Sequence, residues 1–310
     1  MYVTLFDRNY LLRGLAMVDS LLKQDPDAEI VILALDYESN RAVRDRYSET
    51  KCKTITLEEL HDDRIWSARN DRTYTEFCWT LGAYMCNRML RDGHSWVVYL
   101  DADIYFFGDP DIPLREMKNK SVGAVGHRFP NRLKYLAVNG RFNVEWVFFR
   151  NDEEGQLAAD LWARQCLDCC KYDPENGVVG DQKYLDEWPN LFKGFQEVMH
   201  DGVGVAPWNH ESYDIRLENK RWFVENDPLV FYHFHGMNTK ANGHIEISGP
   251  IYSEVKELPI QLYLHYLNEM KGIWDSVQCL VPEPLPATWK ITQSNTFGRR
   301  VAKRFPWLSK

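Results

Sequence analysis

Two carboxylates close an apolar run in the segment YLDADIYFFGDP at 99–110. Residues 96–100 (WVVYL) read as a strand buried on both faces, and Asp101 and Asp103 follow it directly. In open α/β sheets, ligands bind beyond the carboxyl ends of the strands. Two acids leaving a strand with one residue between them can reach a single cation there. A hard divalent ion, Mn2+ or Mg2+, takes oxygen ligands and keeps positions for substrate phosphates. Such an ion serves departure of a diphosphate, because it offsets the charge that develops on the leaving group. The plain alternative is a solvated acidic turn. The apolar strand before the pair, and the aromatic run with Gly108-Asp109-Pro110 after it, favour the metal.

A second constellation is FYHFHGMNTK at 231–240, where a strand ends in His233, with His235 and Gly236 close behind. A neutral imidazole is a good ligand for Mn2+-like ions. Gly236 would let backbone amides approach a phosphate closely, and Lys240 offers a point charge for one. A third is GDQKYLDEW at 180–188, where Asp181 and Gln182 stand at a loop-to-helix junction. The simplest role for Asp181 is a helix N-cap. In GRFNVEWVFFRND at 140–152, Asn143 and Glu145 share one face of a strand. Glu145 precedes Trp-Val-Phe-Phe, an apolar setting that would perturb its ionisation.

The elements that must position these groups are legible as runs. Residues 2–6 (YVTLF) and 30–35 (IVILAL) read as strands, and 53–57 (KTITL) as a third. Helical spacing of apolar residues follows the first strand and recurs at 73–91. Such alternation predicts an α/β fold with a mixed, mostly parallel sheet flanked by helices. Later strand-like runs fall at 121–126, 144–149, 195–199 and 229–234, and helices at 153–171, 181–187 and 260–277. A boundary near residue 245 separates the main domain from a C-terminal extension, 246–310. In that extension Tyr252 could stack on an acceptor, whereas Tyr263, Tyr266 and Trp274 read better as core.

Composition narrows the class. The chain has 310 residues and a net charge of −8, which excludes a nucleic-acid binder with a basic face. Its 7 Cys follow no framework spacing, and Cys166, Cys169 and Cys170 lack a second ligand pair for zinc. Reduced thiols, with no signal-peptide pattern and no apolar run near the roughly 20 residues of a membrane span, predict a cytoplasmic protein. The tail 297–310 mixes five cations with five apolar residues. That mixture suits an anionic membrane surface and predicts peripheral attachment to the cytoplasmic face.

Taken in order, these motifs resemble the retaining GT-A glycosyltransferases, in particular the family 8-like nucleotide-diphospho-sugar transferases. The resemblance runs through most of residues 2–240. It implies a Rossmann-like GT-A domain and a nucleotide-sugar donor, with UDP as the nucleotide and a glycan or glycolipid as acceptor. It implies Thr4, Asp7, Asn9 and Tyr10 for the nucleotide base, and His233 with Asp101 and Asp103 for the metal. Asn143 falls near the donor sugar, and Asp181-Gln182 at the reacting face. Three departures stand out. Thr239 occupies the usual place of the phosphate lysine, with Lys240 one residue later. The helix before Asp101 carries Glu76, Cys78 and Thr80 where a basic residue is common. Glu145 stands where a small residue is common.

The resemblance implies retention of anomeric configuration. A double displacement would need a nucleophile, as in retaining glycosidases. The residue nearest that role is Gln182, and a neutral amide is a poor nucleophile. Attack by the acceptor on the face that the diphosphate leaves is the better reading, with Asp181 and Gln182 shaping the field; Glu145 is the rival nucleophile. A sugar-1-phosphate nucleotidyltransferase would show a Gly-rich basic loop after the first strand, and residues 7–14 (DRNYLLRG) do not. A binding module that had lost catalysis would not need Asp101, Asp103 and His233 intact.

Overall fold

The computed structural model describes residues 1–239, 244–246, 259–281 and 290–292. Its first half alternates β1 (Tyr2–Phe6), α1 (Leu11–Gln24), β2 (Ile30–Ala34), α2 (Tyr37–Arg46) and β3 (Cys52–Thr56). Helices α3 (Asp63–Asn70) and α4 (Tyr74–Arg91) lead to β4 (Trp96–Leu100). Then come β5 (Ile104–Phe106), α5 (Asp111–Glu116), β6 (Val122–Gly126), β7 (Phe142–Arg150) and α6 (Glu153–Asp168). A short pair, β8 (Tyr172–Asp173) and β9 (Val178–Val179), precedes a 3-10 turn over Gln182–Glu187, α7 (Trp188–Leu191) and β10 (Phe195–Val198). A small antiparallel sheet of β11 (Ile215–Glu218), β12 (Arg221–Val224) and β13 (Asp227–Pro228) comes before β14 (Phe231–His233). The last described elements are β15 (Asn238–Thr239), β16 (His244–Glu246), α8 (Ile260–Val277) and β17 (Lys290–Thr292).

Seven strands form the central sheet in the order β10-β6-β7-β4-β1-β2-β3. Every neighbour pair is parallel except the two made by β7. The expected mixed, mostly parallel sheet is therefore observed. Strands β1 and β2 are buried at every position, as a sheet covered on both faces demands. Helix α4 starts on a reciprocal cap, with Thr73 accepting from the Glu76 amide and Glu76 accepting from the Thr73 amide. It packs on one face with α6, while α1 and α8 cover the other.

Helix α8 lies beyond the boundary expected near 245, yet it shares the main core. Tyr263 and Tyr266 are fully buried, and the Tyr266 ring stacks on Phe234 with centroids 3.9 Å apart. The core reading of these two tyrosines holds, and Trp274 is half-buried. Tyr252 lies outside the described residues.

Two long-range pairings build the site. Strand β5 pairs antiparallel with β14, which sets His233 opposite Ile104, next to Asp103. Because β7 runs against β4, its N-terminal half reaches the carboxyl end of β4, and the Asp101 amide donates to the Glu145 carbonyl. The β6–β7 register shifts between Ala124, opposite Val147, and Val125, opposite Asn143. Glu145 lies inside that irregularity, a backbone device that often re-aims side chains beside active sites.

Candidate active site

The acidic centre sits where the sheet geometry predicts. Asp103 is buried, and its Oδ1 lies 3.0 Å from His233 Nε2. Asp101 Oδ2 is 3.8 Å from the same nitrogen. On the other side of the ring, His233 Nδ1 lies 2.6 Å from Glu145 Oε2. The imidazole is thus held between carboxylates, with Trp208 edge-on to it at 5.2 Å. His235 completes a group with Asp103 and His233 whose ligand atoms all lie within 4.8 Å of one another.

The electrostatics follow from that arrangement. Burial disfavours a charged His233 ring, but Asp103 and then Glu145 outweigh it and hold the ring's pKa well above the usual value. Burial likewise opposes ionisation of Asp103, and the His233 charge overcomes it, leaving that acid below the usual carboxylate range. Asp101 is pushed up to about 7, first by burial and then by Asp103 and Glu145, against the pull of His233. Asp181 is pushed up to about 8 by burial and by the charge on Asp101. Several acids therefore surround one imidazolium.

A divalent cation fits this set. The donors are carboxylate oxygens and imidazole nitrogen, which suit Mn2+-like ions. Among the described residues, several acids share His233 as their central cation, and Glu145 Oε1 is buried without a hydrogen-bond partner.

Around this centre the other residues singled out in the sequence fall into different places. Asp7 closes the turn after β1. Its Oδ1 accepts from the amides of Asn9 and Tyr10 at 3.0 and 3.1 Å, and its Oδ2 from Asn9 Nδ2 at 2.6 Å and the Tyr74 hydroxyl at 3.1 Å. Tyr10 is 43% exposed and stays open to a ligand. Its hydroxyl is pushed up to about 12, chiefly by the charge on Asp103, so the turn lies within electrostatic reach of the acidic centre. Thr4 lies beneath that surface, fully buried.

On the opposite side, Asn143 Nδ2 contacts His127 Nε2 at 3.1 Å and Gln182 Oε1 at 3.5 Å, and Gln182 Nε2 donates to the Asn139 carbonyl at 2.8 Å. The N-cap reading of Asp181 is corrected. Its backbone is helical and its side chain makes no capping bond, so the carboxyl is buried beside Asp101 for another reason. Glu145, the rival nucleophile of the sequence reading, turns its Oε2 onto His233 Nδ1, while its Oε1 is buried without a hydrogen-bond partner. Gly236 follows the centre with φ 69°. Lys240 and the tail 297–310 lie outside the described residues.

Several contributors escaped sequence reasoning. His127 is buried and stacked on Phe129, and burial lowers its pKa to about 3, so a neutral ring faces Asn143. Nothing in its local sequence announces this. Arg13 lies over the Tyr10 ring at 4.7 Å and donates to the Met237 carbonyl at 2.7 Å. Its spacing of three from Tyr10 on a helix was the available signal. Tyr99 hydrogen-bonds Asp101. Its ring crosses Gly82, where a Cβ would lie 2.9 Å from it. That contact explains the glycine in TEFCWTLG. In the same helix Glu76 is spent on the cap, and Thr80 accepts from Arg72.

With this geometry in view, comparison with known proteins identifies the class: the chain is a glycosyltransferase of GT-A fold. Residues 2–154 match the family described as Glycosyl transferase family 8. It is 28% identical over 287 residues to the uncharacterised protein YfnD of Bacillus subtilis (strain 168), covering 91% of this chain and 92% of that one. The structure of galactosyltransferase LgtC, in complex with donor and acceptor sugar analogues, shares the fold with a TM-score of 0.53 at 14% identity, covering 89% of this chain and 99% of that one. The glycosyltransferase GlyE of Streptococcus pneumoniae TIGR4 shares it with a TM-score of 0.51 at 16% identity, covering 92% of this chain and 65% of that one. Among the described residues, no helix is long and apolar enough to cross a membrane.

Proposed function

We propose that the protein is a metal-dependent transferase that moves a sugar from a UDP-sugar onto a glycan or lipid-linked acceptor with retention of configuration. The observation that supports this most is the convergence of Asp101, Asp103 and His233 at the carboxyl end of β4, with an excess of buried negative charge. These three would hold Mn2+ or Mg2+, with His235 in reach. Bound there, a divalent cation would offset the charge that develops on the departing diphosphate. Tyr10 and the Asp7 turn would seat the base at the other end of the site. Arg13, beside Tyr10, is a described cation toward which a phosphate can lie, the role that the sequence gave to Lys240.

The state of Asp181 bears on the route. A carboxyl pushed up to about 8 keeps its proton at neutral pH and is a poor nucleophile. Gln182 is a neutral amide anchored to Asn139 and Asn143, and Glu145 is turned onto His233. Of these three residues, Glu145 alone would offer a charged carboxylate, and its Oε2 is engaged by His233. Attack by the acceptor on the departing face therefore remains the favoured route. Asn143 and Gln182 would contribute fixed dipoles where positive charge grows on the sugar ring.

Calorimetric titration of UDP with and without Mn2+, on the wild type and on Asp103→Asn, tests the reading. The expected result is metal-dependent binding that the substitution removes. UDP binding that ignores both the metal and Asp103 would sink it.

A further inference from the structure

The structure gives Glu145 a partner that its neighbours in sequence do not suggest. Its carboxylate lies 2.6 Å from His233 Nδ1, and both side chains are almost wholly buried, at 0% and 2% exposure. Through its backbone the same residue holds the first acid of the pair, since the Asp101 amide donates to the Glu145 carbonyl at 3.1 Å. In turn the Glu145 amide donates to Asn143 Oδ1 at 2.8 Å. One residue of β7 thus ties together the end of β4, the end of β14 and Asn143. Gly204 makes room for it: with φ +77°, a Cβ there would lie 3.0 Å from Glu145 Oε1 and 2.2 Å from Val125.

A buried carboxylate is a costly way to fill space. One of its oxygens has no partner, and an isolated buried charge is strongly disfavoured. A hydrogen bond alone could come from an amide, and volume alone from an apolar side chain. What the acid adds is a fixed donor state and charge. It accepts Nδ1–H, which leaves Nε2 as the nitrogen that faces Asp101 and Asp103, and it makes that nitrogen a stronger donor. Partners of this kind behind a ligating histidine typically change metal affinity by about 10- to 100-fold.

We infer that Glu145 is a positioning residue of the cation site, fixing His233 with Nε2 toward Asp101 and Asp103 and tightening the ion through its charge. The inference rests on the reading that these residues hold a divalent cation, and it concerns a residue that would act through the His233 ring.

The test uses the full chain and the variants Glu145→Gln and Glu145→Ala. Mn2+ affinity is read by calorimetry, and the His233 tautomer by 15N imidazole shifts in the metal-free protein at a pH high enough to leave the ring neutral. Glu145→Gln, close to isosteric, should keep Nδ1–H and weaken Mn2+ about tenfold; Glu145→Ala should mix the tautomers and weaken it by up to about 100-fold. A purely structural residue would change thermal stability but leave the order wild type, Gln, Ala absent from the Mn2+ constants. Mn2+ constants within threefold of wild type for Glu145→Gln, with normal circular dichroism, overturn the inference, and this variant decides it if the alanine protein does not fold. Were Asp103→Asn to lose Mn2+ while both Glu145 variants kept it, the inference would fail and the metal-dependent reading would stand. A wild type that binds no Mn2+ overturns both.

Discussion

The two ends of the candidate site solve their electrostatics in opposite ways. At the β1 end, Asp7 has both oxygens occupied by four donors, three of them in its own turn and one from Tyr74. That carboxylate is satisfied by the protein alone. At the β4 end, Asp101, Asp103 and Glu145 crowd one imidazole, and a buried oxygen is left without a partner. The first end is a rigid frame for a planar ligand. The second has charge in surplus and becomes favourable with a cation in place. Substitutions at the first end should act on stability and donor affinity irrespective of metal. Those at the second should act through metal and turnover.

The largest effect belongs to the unbalanced end. Asp103→Asn removes a ligand and half of the pair's charge, and kcat/KM should fall by about 10³-fold or more, equivalent to about 4 kcal/mol. Excess Mn2+ should restore little of it. Near-normal turnover in the variant would erase the contrast between the two ends. Next comes Gln182→Ala. If the amide only shapes the field, kcat should drop by about 100-fold with donor KM nearly unchanged. Complete loss of activity with normal donor affinity would count against same-face attack and return Gln182 to the role of nucleophile. At the balanced end, Asp7→Ala leaves two backbone amides and the Tyr74 hydroxyl without their acceptor. Unfolding free energy should fall by about 2–3 kcal/mol, read by urea titration with and without Mn2+. A loss that grew with metal present would show that the turn belongs to the metal end after all.

How much of this was legible depended on the range of the contact. Residues 96–103 were read from the sequence because a buried strand running into two acids is a local pattern, and β4 lies where its apolar run does. Helix α8 was bounded by its spacing and its tyrosines were read as core, yet that this core is the main domain's was not legible, since it depends on Phe234 and Tyr232 meeting Tyr266 and Tyr263. The meeting of Asp103 and His233 needed the β5–β14 pairing between segments far apart in the chain, and only resemblance hinted at it. The role of Glu145 needed more: an antiparallel strand inserted into a parallel sheet, a register shift within it, and a glycine at 204 to leave room. None of these has a local signature. Asp181 misled for the converse reason, since its position before a helical turn is that of a cap while its φ and ψ are already helical.

Asp181 also gives the subtlest test, because it joins the two halves of the contrast: a single acid whose state is set by burial and by its neighbour Asp101. In the folded chain its pKa is about 8, raised from 3.8. Between those values the native protein keeps a proton that the unfolded chain has lost, so this group makes stability fall as pH rises. The penalty is absent below about pH 4, grows through the window, and is complete above about pH 8. Asp181→Asn carries no such slope. The urea midpoint of the variant relative to wild type should therefore climb from pH 5 to pH 9 in metal-free buffer. Offsetting the charge on Asp101 with Mn2+ should flatten that climb, because Asp101 is the second cause of the shift. A difference between the two proteins that stays constant from pH 5 to pH 9 would mean that Asp181 is ionised in the native state, and the case against a carboxylate nucleophile would lose one of its supports.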